Sequence, residues 1–128
     1  MKKVLIVDDS AMARMMIKKC LEIADAEVQY EYFEAEDGDV AMEMLSKESF
    51  DLLISDLNMP RITGEMLIKG LKKNGTIQDL PVILISSKIN DSKVEELMGD
   101  GAIGVLKKPL TPTVLHKFIK NKREKGLL

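Results

Sequence analysis

Five short apolar runs, each closed by polar or turn residues and each followed by a stretch of helical periodicity, restrict what this chain can fold into. The runs are Lys3–Val7, the segment around Val28–Tyr32, Leu52–Leu57, Pro81–Ile85 and Ala102–Leu106. Apolar runs this short, bounded by turn signals, read as strands rather than helices. Between and after them, apolar residues return at helical steps. They are Ala13, Met16, Ile17, Cys20, Leu21 and Ala24, then Val40, Ala41, Met44 and Leu45, then Leu67, Ile68 and Leu71. Val94, Leu97 and Met98 follow, and last come Val114, Leu115, Phe118 and Ile119. Unbroken strand–helix alternation implies a parallel sheet with helices on both faces and right-handed crossovers. The expected fold is α/β, a doubly wound five-stranded parallel sheet. With 128 residues and no linker, repeat or low-complexity tract, residues 1–128 should form one domain.

Local signals set the helix ends. Ser10 is placed to cap the first helix, Asp37-Gly38-Asp39 opens the second, and Thr63-Gly64 opens the third, which Asn74-Gly75 closes. Ser92 and Glu95 have capping-box spacing for the fourth helix. Thr111-Pro112 puts proline at the first position of the fifth. Val28, Tyr30 and Tyr32 alternate with Gln29 and Glu31, so the second strand has a polar side and belongs at a sheet edge. Met12, Met15, Met16, Met42 and Met44 read as gap-filling core or near-core residues.

Several functional classes are excluded early. No apolar run approaches the roughly 20 residues that span a bilayer, and Val4–Val7 is too short for a signal-peptide core. The lone cysteine, Cys20, rules out an internal disulfide and a cysteine zinc site, and its place on the first helix's apolar stripe suits a small core residue. A cytoplasmic location is expected. Net charge is −2, divided as −8 over residues 1–60 and +6 over residues 61–128. That polarity argues against a general nucleic-acid binder and fits an acidic pocket opposite a basic face.

In a parallel sheet the C-terminal strand ends share one edge, where open α/β folds place their ligands. That edge receives Asp8 and Asp9, Asp56, Ser86 and Lys108. Singly, Asp8 or Asp9 could cap a helix, Ser86 could be a loop hydroxyl, and Lys108 a solvated charge. Five independent placements on one edge favour a shared site. Three converging carboxylates repel one another, and a hard divalent cation such as magnesium relieves that conflict. A hydroxyl and an ammonium beside them suit an anion, and together the groups describe phosphoryl transfer to a carboxylate. His116 lies away from this edge as an exposed structural residue, and the basic tail (Lys117, Lys120, Lys122, Arg123, Lys125) reads as a solvated helix end.

The Asp8-Asp9 pair, Asp56 followed by Asn58, Pro60 and Gly64, Ser86 after an apolar strand, and Lys108-Pro109 together resemble the receiver domain of two-component response regulators. The likeness covers essentially the whole chain and is nearest the free-standing, single-domain type. It implies a flavodoxin-like strand order 2-1-3-4-5 and a cis Lys108-Pro109 bond. Asp56 would accept a phosphoryl group from a sensor histidine kinase or a phosphotransfer protein. Magnesium would be bound by Asp9, Asp56 and the backbone carbonyl of Asn58, with Asp8 holding it partly through water. Lys108 would pair with the phosphoryl group, and Ser86 would move to hydrogen-bond it. Such a protein catalyses only its own phosphorylation and dephosphorylation. One departure stands out: Val105 occupies a position where the family often has Tyr or Phe.

With nothing after the fifth helix long enough for an output domain, the signal should leave by protein contact. Lys88, Lys93 and Lys107 would offer a basic face to an acidic downstream partner. Nucleic acid and membrane insertion are not expected, and the pathway, chemotaxis included, stays open. Three rival readings fit the sequence less well. A phosphorylation-independent adaptor would tolerate a degenerate site, yet no acidic or lysine position is missing. A haloacid-dehalogenase-type phosphatase, working through an aspartyl-phosphate, wants a second acid two residues after the nucleophile. Asn58 stands there, on the third strand rather than the first. In a flavodoxin-like nucleotide carrier, Asp8-Asp9 would repel the phosphate that the first loop must cradle.

Overall fold

Residues 1–128 are described by a computed structural model. The apolar runs form β1 (Lys2–Val7), β2 (Tyr30–Ala35), β3 (Leu52–Asp56), β4 (Val82–Ser86) and β5 (Gly104–Lys107), all parallel in the order β2-β1-β3-β4-β5. β2 is thus an edge strand, as its polar side implied. Helices α1 (Ala11–Ala24), α2 (Gly38–Lys47), α3 (Gly64–Lys73), α4 (Asp91–Gly99) and α5 (Pro112–Glu124) cover the two faces, with a short 3-10 turn at Thr76–Gln78.

Side chains alternate across a strand, and the two cores follow from that alternation. Leu5, Val7, Leu53, Val82 and Leu84 point to the side closed by Ala41, Leu67, Ile68, Leu71 and Leu97 of α2, α3 and α4. Val4, Ile6, Leu52, Ile54, Ile83 and Ile85 point to the side closed by Ile17, Cys20, Leu21, Leu115 and Ile119 of α1 and α5. Burying each such side chain contributes about 1.5–3 kcal/mol. β3 and β4 are buried at every position, so no polar stripe shows in their sequence.

The register brings the functional ends level. Val7 pairs with Ser55, Asp56 with Ile85, and Ser86 with Lys107. Ser10, Asp37, Thr63 and Thr111 cap α1, α2, α3 and α5 through their side chains, and Pro112 stands in the first turn of α5. Gly64 is required by space. A Cβ there would lie 2.6 Å from the Asp56 carbonyl oxygen and 2.8 Å from the Leu57 Cα. Only glycine lets α3 begin against the end of β3.

The structure departs from the sequence pattern in five places. β2 starts at Tyr30 and runs on to Ala35, leaving Val28 outside, while β5 runs Gly104–Lys107 rather than 102–106. The fourth helix is capped by Asn90, whose carboxamide oxygen accepts from the Lys93 N–H, so Ser92 lies inside the first turn. Met12, Met15 and Met16 are not core: all three are more than half exposed on α1, whereas Met42 and Met44 do pack against the core. Val114 is likewise exposed, the α5 seam being Leu115, Phe118 and Ile119. Arg123 is solvated as expected, yet it is not free. It makes a two-pronged pair with the buried Asp25 at the end of α1, 2.9 and 2.8 Å long. The Asp25 carboxylate also accepts from the Tyr30 hydroxyl at 2.7 Å.

Candidate functional site

Asp8 follows the last residue of β1 and is buried. One carboxylate oxygen accepts the Ser10 N–H at 2.9 Å and the other accepts the Lys108 ammonium at 2.9 Å. Asp8 therefore does not cap α1, which Ser10 does; it shapes the turn into the helix while holding a cation. Arg14, one turn into α1, donates to the Asp8 backbone carbonyl and pairs with Glu34 of β2 at 2.8 Å. Sequence spacing gave no sign of this, because Arg14 and Glu34 come from separate elements. Asp9 is exposed and turned to solvent.

Asp56 closes β3 with only 5% of its surface exposed. Its Oδ1 accepts from the Asn58 N–H at 3.3 Å and lies 3.5 Å from the Lys108 Nζ. One carboxylate oxygen from each of Asp8, Asp9 and Asp56 falls within 4.8 Å of the others. Burial pushes the Asp56 carboxyl up from its usual range, the Asn58 N–H opposes this, and the Asp8 charge adds to the rise. For Lys108, burial alone would lower the ammonium, but its bond to Asp8 and the charges of both acids hold it above the ordinary lysine value. Lys108 is therefore a fixed cation at neutral pH.

One ammonium facing three carboxylates leaves negative charge uncompensated. The Asn58 carbonyl, two residues beyond Asp56, accepts no hydrogen bond from the protein. Carboxylates and a carbonyl on an open edge form a hard oxygen donor set that suits a small divalent cation. The five predicted site residues Asp8, Asp9, Asp56, Ser86 and Lys108 do meet at this edge, with Asn58 among them. The Lys108–Pro109 peptide bond is cis, as expected.

Ser86 departs from the expected geometry. It is fully buried, and its hydroxyl is committed elsewhere. Oγ donates to the Lys88 carbonyl at 2.8 Å and accepts from the Lys88 N–H at 3.2 Å and the Asn58 carboxamide at 3.1 Å. None of these bonds reaches Asp56.

The basic face also changes. Lys93 is neutralised by Glu65 and Glu96, each 3.1 Å away, in an ion network that continues through Lys69, Lys72 and Asp100. Lys88 and Lys107 have no carboxylate within 4 Å and are exposed, so they alone carry unpaired charge on that face. His116 is exposed, its Nδ1 2.9 Å from the Ala24 carbonyl, far from the acidic edge in the fold. No helix is long and apolar enough to cross a membrane.

Comparison with known proteins agrees with this geometry. The profile of the response regulator receiver domain matches residues 4–120. Chemotaxis protein CheY of Pseudomonas aeruginosa is 33% identical over 118 residues, covering 91% of this chain and 92% of that protein. The CheY homolog of Campylobacter jejuni is 32% identical over 120 residues, covering 93% and 90% respectively. The solved structure of chemotaxis response regulator CheY4 of Vibrio cholerae superposes with a TM-score of 0.81 at 36% identity, over 94% of this chain and 98% of that one. A receiver-domain match over residues 4–120, with relatives above 30% identity along nearly their whole length, shows that the chain belongs to the response regulator receiver family.

Proposed function

We propose that this protein is a stand-alone receiver that takes a phosphoryl group onto Asp56 and signals through phosphorylation-dependent contact with another protein. The observation that carries the reading is the buried Asp56 carboxylate, clustered with Asp8 and Asp9 and held 3.5 Å from the Lys108 ammonium. A carboxylate so placed is desolvated yet flanked by a fixed cation, which is what an oxygen nucleophile toward a phosphate ester or phosphoramidate needs.

In the proposed reaction an Asp56 oxygen attacks the phosphorus of a phosphohistidine on a sensor kinase or phosphotransfer protein. The new P–O bond forms as the P–N bond breaks, and the imidazole leaves with the bonding pair and takes up a proton. Magnesium, when bound, neutralises the phosphoryl oxygens and the carboxylates together. Asp9, Asp56 and the Asn58 carbonyl would hold it, with Asp8 contributing partly through water. Lys108 would shift its attention from the Asp8 and Asp56 carboxylates toward a phosphoryl oxygen, a charge-assisted bond. Ser86 would supply a hydroxyl once released from its present partners. Hydrolysis of the acyl phosphate at the same edge would reset the protein, and no other substrate is turned over.

The relatives named as chemotaxis proteins support a chemotaxis pathway, with residues 1–128 acting as one receiver domain. Downstream, Lys88 and Lys107 suit an acidic partner surface; Lys93 is dropped from that set because its charge is already paired. Intact-mass measurement after incubation with acetyl phosphate tests the reaction. One phosphoryl adduct should form with magnesium and disappear with chelator. Equal labelling with and without magnesium would overturn the metal's role, and no labelling under either condition would overturn the phosphoacceptor role.

A further inference from the structure

Ser86 and Asn58 come from different strands' ends, 28 residues apart, yet the Asn58 carboxamide donates to the Ser86 hydroxyl at 3.1 Å. The same Asn58 donates its backbone N–H to Asp56 Oδ1 at 3.3 Å, and its carbonyl is unengaged. One residue therefore touches the phosphoacceptor with its main chain and the buried hydroxyl with its side chain. Ser86 Oγ is saturated in this arrangement. It accepts two N–H donors and gives its only proton to the Lys88 carbonyl. To donate to a phosphoryl oxygen on Asp56, that hydroxyl must give up the Lys88 carbonyl, and the Asn58 bond opposes its departure.

We propose that the Asn58 side chain is a positioning residue that latches Ser86 in the unphosphorylated protein, and that phosphorylation is read out in part by breaking the Asn58–Ser86 hydrogen bond. The inference rests on the phosphoacceptor reading of Asp56 and deepens it, giving the amide of Asn58 a role separate from that of its carbonyl. Added charge at Asp56, with any cation that the Asn58 carbonyl would hold, would draw on the Asn58 main chain, the carboxamide would move with it, and Ser86 would be released. Because Ser86 Oγ also forms the turn to Lys88, its release frees the loop from Ser87 to Asn90, which caps α4. α4 itself is lightly anchored, with Leu97 its one buried residue, so a freed loop can carry the helix with it.

The test compares wild type, Asn58→Ala, Ser86→Ala and the double variant by amide NMR, first free and then titrated with beryllofluoride and magnesium. In the free protein the Lys88 N–H reports the latch, since it donates to Ser86 Oγ. Asn58→Ala should shift the Lys88 amide and quicken its hydrogen exchange, in the direction seen for Ser86→Ala. It should also lower the beryllofluoride midpoint about three- to tenfold, the weight of one net hydrogen bond. In the Ser86→Ala background the same substitution should change neither reading, because the latch is already gone. An unmoved Lys88 amide in Asn58→Ala, or an effect on the midpoint that persists undiminished without the Ser86 hydroxyl, would overturn the proposal. Failure of beryllofluoride to bind wild type would instead overturn the phosphoacceptor reading, while the Lys88 amide of the free protein still decides the latch.

Discussion

A buried carboxylate is costly to the folded protein, and Asp56 shows where that cost falls. Its charge is 5% exposed, shares one ammonium with Asp8, and faces Asp9 across the cluster. Removing it should relieve repulsion, since one unit of carboxylate pKa displacement corresponds to about 1.4 kcal/mol. The Asp56→Asn protein without metal should therefore be more stable than wild type by about 1 kcal/mol, or roughly 3–5 °C in Tm. Because the Asp56 pKa is raised on folding, the gain belongs to neutral pH. It should vanish as pH falls below the ordinary carboxylate range, where both states carry a protonated acid. Magnesium should reverse the order, since it binds the folded wild type and so stabilises it by mass action. Thermal melts with metal and with chelator check this; a variant less stable than wild type in chelator would contradict it. The individual site residues were legible because a parallel sheet sends every strand's C-terminal end to one edge, whatever the side-chain details. Their hydrogen bonds were not. That Ser86 points to Lys88, and that Arg14 pins the Asp8 carbonyl, depends on distances between elements that no local pattern encodes.

At the scale of elements, caps show which signals a sequence carries. Ser10, Asp37, Thr63 and Thr111 could be read directly, because a cap is a bond between a side chain and a backbone N–H three residues on. The fourth helix starts ahead of its capping-box spacing because Asn90, Asp91 and Ser92 are all competent caps, and the Ser92–Glu95 spacing is present without being used. Asn90→Ala should cost about 1 kcal/mol in urea melts, whereas Ser92→Ala should change stability by less than about 0.5 kcal/mol. The reverse ranking would restore the capping box. The α1–α5 clasp was illegible, since Asp25 and Arg123 are 98 residues apart. The Arg123 hydrogen bonds are the main reason the Asp25 carboxyl sits below its usual range, burial opposing them and the Tyr30 hydroxyl assisting. A depressed carboxyl stabilises the fold above its unfolded pKa, near 4, and loses that contribution as pH falls through the folded value. Arg123→Ala should thus cost about 1.5 kcal/mol at pH 7, the low end for a charge-assisted bond because Arg123 is partly exposed. The gap should hold to about pH 5 and narrow below pH 4. A difference that stays constant down to pH 3 would show that Arg123 acts by packing alone.

For the molecule as a whole, alternation gave the parallel sheet and the polar side of β2 its edge position, while the full strand order followed from the family resemblance alone. The division of labour between faces emerged only in three dimensions. α1 and α5 are tied together by the Asp25–Arg123 pair and by a shared core, while α4 depends on one buried leucine and on exposed ion pairs to α3. Exposed pairs contribute little individually and weaken with salt, so the α4 side is the part of the fold most easily displaced. That asymmetry sets the acidic edge between a firm half and a yielding one, with Ser86 and the loop to Asn90 at the junction. The proposed phosphoryl transfer depends on which carboxylate is modified, since Asp8, Asp9 and Asp56 lie together. Borohydride reduces an acyl phosphate of aspartate to homoserine and leaves free carboxylates untouched, so the acceptor can be located by peptide mass mapping after phosphorylation with acetyl phosphate and magnesium. Homoserine at position 56, and at neither 8 nor 9, is the predicted result. Homoserine at position 8 or 9, or at no aspartate of the cluster, would contradict it.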